Sequence, residues 1–157
     1  MLATIAFAAA LLEPGAWNVI DERAALDGRR SYLASVESVE PLSNSIGRPE
    51  KAQLALTCTN GTLRVGIIWP AYMGIDDVRV RWAFDGGEVQ RGQAHVLRGG
   101  RNALIEGRAA DRFIDQVATG QQVVLEVSGY SGLQEATFDL TGGAEAAAGA
   151  REACARR

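Results

Sequence analysis

Two cysteines, one histidine and a few paired carboxylates are the side chains in this chain with the most obvious chemistry. Cys58 and Cys154 are the only cysteines and stand near opposite ends of one domain. They fit a disulfide in an oxidising compartment, with two buried free thiols in a cytosolic protein as the alternative. No C-x-x-C spacing is present, so thiol redox catalysis is not indicated. The carboxylates fall in two groups. Asp76, Asp77, Asp85 and Glu88 flank one strand-like run, and Asp111 and Asp115 are spaced to share one helix face. Paired carboxylates can bind calcium or divide acid and base work. Here no loop has the alternating Asp/Asn pattern of a calcium site, and solvated turns and helix faces account for them. His95 sits alone in a strand-like segment, and Ser128 and Ser131 lie outside any G-x-S-x-G elbow. The sequence thus nominates no catalytic residue, no metal site and no cofactor. One more set has the residue types enriched at protein interfaces: Tyr72 and Met73 at a strand break, with Arg79 and Arg81 just beyond.

These residues need elements to hold them. Residues 52–69 read as a β-hairpin turning at Asn60-Gly61, the dipeptide that supplies the positive φ angles of a type I′ turn. Leu54, Leu56 and Cys58 alternate on one strand, and Leu63, Val65, Ile67 and Trp69 on the next. Asn60-Gly61-Thr62 also matches a glycosylation acceptor, but the turn alone explains it. Residues 77–85 alternate most cleanly, with Val78, Val80, Trp82 and Phe84 opposite Arg79 and Arg81. Gly86-Gly87 turns the chain toward a partner strand over residues 88–97. Arg98-Gly99-Gly100-Arg101 is a further break and, as one copy in an acidic protein, not an RNA-binding tract. Residues 102–106 read as a short strand, and residues 31–40 as another.

Residues 108–119 have helical spacing, with Ala110, Phe113, Ile114 and Val117 as the apolar stripe, and Gly120 stands at the C-cap position. A third hairpin follows, from Val123, Leu125 and Val127 to Ala136, Phe138 and Leu140, with its tip near Gly129 to Gly132. The last helix spans residues 144–156, with Ala146, Ala147, Ala150 and Cys154 on one stripe and Glu152 set to pair with Arg156. Residues 41–50 read as a loop, and residues 17–30 as irregular chain or a short edge strand. The expected fold is α+β: an antiparallel β-sheet or compact sandwich of hairpins with one internal helix and a C-terminal helix. Its core should include Leu54, Leu56, Val65, Ile67, Val80, Trp82, Val123, Leu125 and Phe138.

The bulk properties narrow the function. A chain of 157 residues, 47% hydrophobic, is one domain with a sizeable core. A net charge of −3 gives no broad positive field for nucleic acid. Residues 2–12 are apolar apart from Thr4, too short to span a bilayer comfortably, and fit the core of a secretory signal. Ala8-Ala9-Ala10 and Ala16 offer cleavage sites, so residues 1–16 are assigned to the signal and residues 17–157 to a single β-rich domain. The n-region carries no Lys or Arg.

The layout also resembles a known family. Trp17 near the mature start, Leu56-Thr57-Cys58 ending a strand, the run VRVRWAFDGG, FDLTGG at residues 138–143 and a terminal cysteine eleven residues beyond Gly143 resemble the VasI family, accessory proteins linked to type VI secretion. The resemblance implies a non-enzymatic, exported accessory or binding protein of the bacterial envelope, periplasmic or secreted, with a protein partner there. A cytosolic or prophage-borne interaction protein, and an envelope hydrolase or inhibitor acting on cell-wall material, are the alternatives.

Overall fold

The computed structural model describes residues 16–155. Residues 2–12, read as a signal, lie outside that range, as does Arg156, the expected partner of Glu152. In chain order the elements are β1 (Asn18–Arg23), β2 (Arg30–Glu37), β3 (Leu42–Ser43), β4 (Pro49–Glu50), β5 (Gln53–Thr59), β6 (Thr62–Ile68), β7 (Asp77–Phe84), β8 (Gln90–Val96), β9 (Asn102–Ile105), α1 (Gly107–Thr119), β10 (Gln122–Gly129), β11 (Gly132–Asp139) and α2 (Gly143–Ala155). Nine of the strands form one antiparallel sheet in the order β1-β2-β5-β6-β9-β8-β7-β10-β11. It is an α+β arrangement and not a closed barrel, with β1 and β11 as the outer strands.

Each hairpin forms for the reason its sequence gives. Asn60 and Gly61 both take positive φ, 52° and 74°, and set Cys58 opposite Leu63 and Leu56 opposite Val65. Alternation then sends one side of every strand inward. Val78, Val80 and Trp82 are buried while Arg79 and Arg81 are exposed, and the register lines Leu125 up with Trp82 and Val127 with Val80. All nine residues expected in the core are buried. Just beyond β2, the Val39 N–H donates to the Thr137 carbonyl at 2.8 Å and brings the two ends of the sheet together.

The two helices cover one end of this core. Phe113 of α1 is fully buried and meets Trp82 and Phe84 edge-on, at centroid distances of 5.4 and 5.1 Å. α2 packs on β2, β5 and α1 through small residues, among them Ala146, Ala147 and Ala150. The buried Tyr32 hydroxyl donates to the Ala146 carbonyl at 3.2 Å, and burial pushes its pKa upward. The Tyr32 ring lies so close to Gly149 that a Cβ there would overlap it. Arg151 of α2 reaches Asp115 and Asp111 of α1, so the carboxylate pair on that helix is a tie between helices.

One sequence expectation needs correction, and two others hold with added detail. The loop at residues 41–50 contains a small ribbon, β3 paired with β4, because the Asn44 side chain accepts the N–H groups of Ile46 and Arg48 and closes a tight turn. Gly120 caps α1 through its N–H to the Gln116 carbonyl, but at φ −82° it is extended, not left-handed. Glycine is needed there because a Cβ would lie 2.8 Å from the Gln116 oxygen and 3.2 Å from the Phe84 ring. Residues 17–30 resolve into the edge strand β1 and a turn, with all six β1 residues exposed.

Two exposed ion pairs give the fold a predictable pH response. Hydrogen bonds from Arg81 hold the Glu126 carboxyl below the ordinary glutamate range, and hydrogen bonds from Arg30 do the same for Asp21. A carboxylate whose pKa is lower in the folded chain stabilises it above the unfolded pKa, and that contribution is lost as pH falls through the folded value. Urea unfolding midpoints of the native chain should therefore drop on acidification below roughly pH 4. The double variant Asp21→Asn, Glu126→Gln should show a shallower drop over the same window.

Candidate functional site

The disulfide is the first functional feature to take shape. Cys58 near the end of β5 is bonded to Cys154 in the last turn of α2, with Cα atoms 5.7 Å apart and a sequence separation of 96. It ties the C-terminal helix to the middle of the sheet, and Cys58 is fully buried.

The other candidates for chemistry do not converge. Asp77 and His95 meet at 3.2 Å on neighbouring strands, both exposed, with neither serine hydrogen-bonded to the pair. The Ser131 hydroxyl donates instead to the Tyr72 carbonyl at 2.9 Å. Asp85, at φ 53° in the turn after β7, accepts the N–H groups of Gln121 and Gln122 and so fixes the start of β10. Asp76 and Asp77 stand at one end of β7 and Asp85 and Glu88 beyond the other, too far apart to share a proton or an ion. Among the described residues no three His, Cys, Asp or Glu side chains are arranged to hold a metal ion, and no helix is long and apolar enough to cross a membrane.

The interface candidates separate. Arg81 lies on the outward face of β7 and makes a bidentate pair with Glu126, at 2.6 and 2.9 Å. Arg79 is exposed one step along the same face, across from Ser128. Met73 is buried at 4% exposure and leaves the surface set, because the backbone around it is drawn into the fold. Its N–H donates to the Gly100 carbonyl and its carbonyl accepts from Tyr130 N–H.

Tyr72 is the centre of the surface at the end of the sheet away from the helices. Its ring packs edge-on against Tyr130, at 5.5 Å and 74°, and over Gly100, where φ is 74° and a Cβ would collide with it. Its N–H donates to Ser45 Oγ at 3.2 Å. Four separate segments thus meet at one tyrosine. Ile75 and Leu97 line a cavity of about 260 Å³ beside it, next to Arg98. Ile75 is 80% exposed and Tyr130 81%, and Ile46 next to Ser45 is also exposed. Large apolar side chains clustered in the open mark a contact surface more often than singly scattered ones do. Tyr130, Ile75 and Ile46 were not singled out in the sequence. The available signal was large apolar residues inside turn-forming segments.

An antiparallel sheet with two helices, a disulfide that joins α2 to β5 and an aromatic loop surface around Tyr72 define the class as an α+β protein. In sequence the chain matches no family model and no curated protein. Its fold is similar to the crystal structure of invasion associated protein B from Bartonella henselae, with a TM-score of 0.55 and 13% identity over 89% of this chain and 94% of that one. The likeness shows a distant relationship of fold. It does not support the VasI family.

Proposed function

We propose that this chain is a non-enzymatic, exported accessory or binding protein of the bacterial envelope that engages a protein partner through the loop surface around Tyr72 and Tyr130. The Cys58–Cys154 bond is the observation that carries the exported half of this reading, since disulfides persist in oxidising compartments. Residues 1–16 are the signal that would take it there. The accessory role is the one that the resemblance of layout to the VasI family implies, and the fold likeness to a protein named as invasion associated does not contradict it. Tyr72 and Tyr130, an aromatic pair held by hydrogen bonds from neighbouring loops, supply the contact, with exposed Arg79 on the adjoining face.

A fusion of β-lactamase to the C-terminus of the full-length chain, expressed in the native host, tests the compartment. Ampicillin resistance that is lost on deletion of residues 2–16 is expected; a fusion that stays inside the cell would sink the proposal. Cross-linking in intact cells tests the surface. The double variant Tyr72→Ala, Tyr130→Ala should lose the cross-linked partner while keeping its unfolding midpoint within a few tenths of a molar urea. An equal yield of cross-link from the variant would move the partner elsewhere on the molecule.

A further inference from the structure

We infer that Cys154 is the sulfur at which the Cys58–Cys154 bond exchanges with a small-molecule thiol, and that Cys58 is the buried thiol that reseals it. The inference concerns the chemistry of this bond and is independent of the loop surface around Tyr72.

The two sulfurs stand in different surroundings. Cys58 lies on β5, between β2 and β6 in the sheet, opposite Tyr32 on one side and Leu63 on the other. Alternation along β5 puts it on the core face with Leu54 and Leu56, and it is fully buried. Cys154 is half-buried in the last turn of α2. It lines a cavity of about 520 Å³, large enough for a small molecule, with Gly61, Thr62, Leu63 and Gly107 in the wall and Cys58 outside it. A Cβ added at Gly61 or Gly107 would meet nothing within 4 Å, so the wall is open at both glycines.

Exchange begins with a thiolate attacking one sulfur of the bond, and access decides which. From this cavity the reachable sulfur is Cys154 Sγ. A new sulfur–sulfur bond forms there, the Cys58–Cys154 bond breaks, and its electron pair leaves on Cys58 Sγ. A charge left among apolar side chains is unfavourable, so Cys58 leaves slowly and attacks back on the mixed disulfide, expelling the external thiolate. Full reduction needs a second external thiolate, which attacks the outer sulfur and releases Cys154. The bond thus resists monothiols while Cys154 stays open to exchange.

The native protein is incubated with glutathione, quenched in acid and mapped by peptide mass. Glutathione is expected on the peptide that carries Cys154, with Cys58 recovered as the free thiol. An adduct on Cys58, an even division between the two, or no adduct at either would overturn the assignment. Single-cysteine variants, checked for folding by circular dichroism, give a second reading with glutathione disulfide as the reagent. In the folded Cys58→Ser chain, Cys154 should react at nearly its rate in urea. In the folded Cys154→Ser chain, Cys58 should react at least about tenfold more slowly than in urea, because it is reached only through opening of the core. Equal protection of the two thiols in the folded variants would contradict the inference.

Discussion

Replacing Cys58 and Cys154 together by alanine should lower the unfolding free energy by about 4 kcal/mol. The bond closes a segment of 96 residues, and cross-linking a loop of that length removes about 4–5 kcal/mol of chain entropy from the unfolded state. Native domains are held by roughly 5–15 kcal/mol in all, so the loss is a large share of the total. The effect should reach beyond the two sulfur atoms. α2 is rich in alanine and docks through small side chains, so it has little apolar area per turn to hold it once the bond is gone. Chemical unfolding monitored by far-ultraviolet circular dichroism measures the loss. Hydrogen exchange should show amides of α2 opening before those of β5. A double variant within 1 kcal/mol of the native chain would mean that helix packing alone secures the C-terminus.

The second large effect should come from Phe113→Ala, at about 3–5 kcal/mol. Phe113 is the side chain through which α1 reaches the far half of the sheet, wedged against Trp82 and Phe84. Truncation removes buried ring area and leaves a cavity in a close-packed core, where Trp82 is itself packed over Gly92. Phe113→Leu, which refills most of the volume, should recover more than half of the loss. The same urea titration reads both variants. A loss below 1 kcal/mol for Phe113→Ala would place α1 outside the cooperative core.

Much of this fold is legible locally. Asn60-Gly61 fixes a turn, the alternation from Val78 to Trp82 fixes a face, and the stripe from Ala110 to Val117 fixes a helix. These signals act over a few residues, where side-chain direction follows from backbone geometry. The order of the strands is not legible in this way. β6 pairs with β9, and β7 with β10, across intervening elements, and no single strand encodes its distant neighbour. Glycine roles divide along the same line. Gly61 announces its positive φ through its sequence context, whereas Gly120 and Gly149 are needed for close approach of Phe84 and Tyr32, which only the packed structure brings near. Residue type pointed to Tyr72 as a contact residue, while the backbone hydrogen bonds that bury Met73 and stand Tyr130 beside Tyr72 come from three loops far apart in sequence. Asp85 illustrates the reverse: a carboxylate that could have served chemistry is occupied with two backbone N–H groups.

The central claim is that this is an exported domain clamped by Cys58–Cys154, and the intact mass of the protein recovered from its native host tests it most directly. Free thiols are blocked before and after reduction, and the two masses are compared. The expected result is a chain beginning near Leu11 or Trp17, with two thiols that react only after reduction. A chain that retains Met1 and carries two freely reactive thiols would contradict it, and would return the protein to the cytosol.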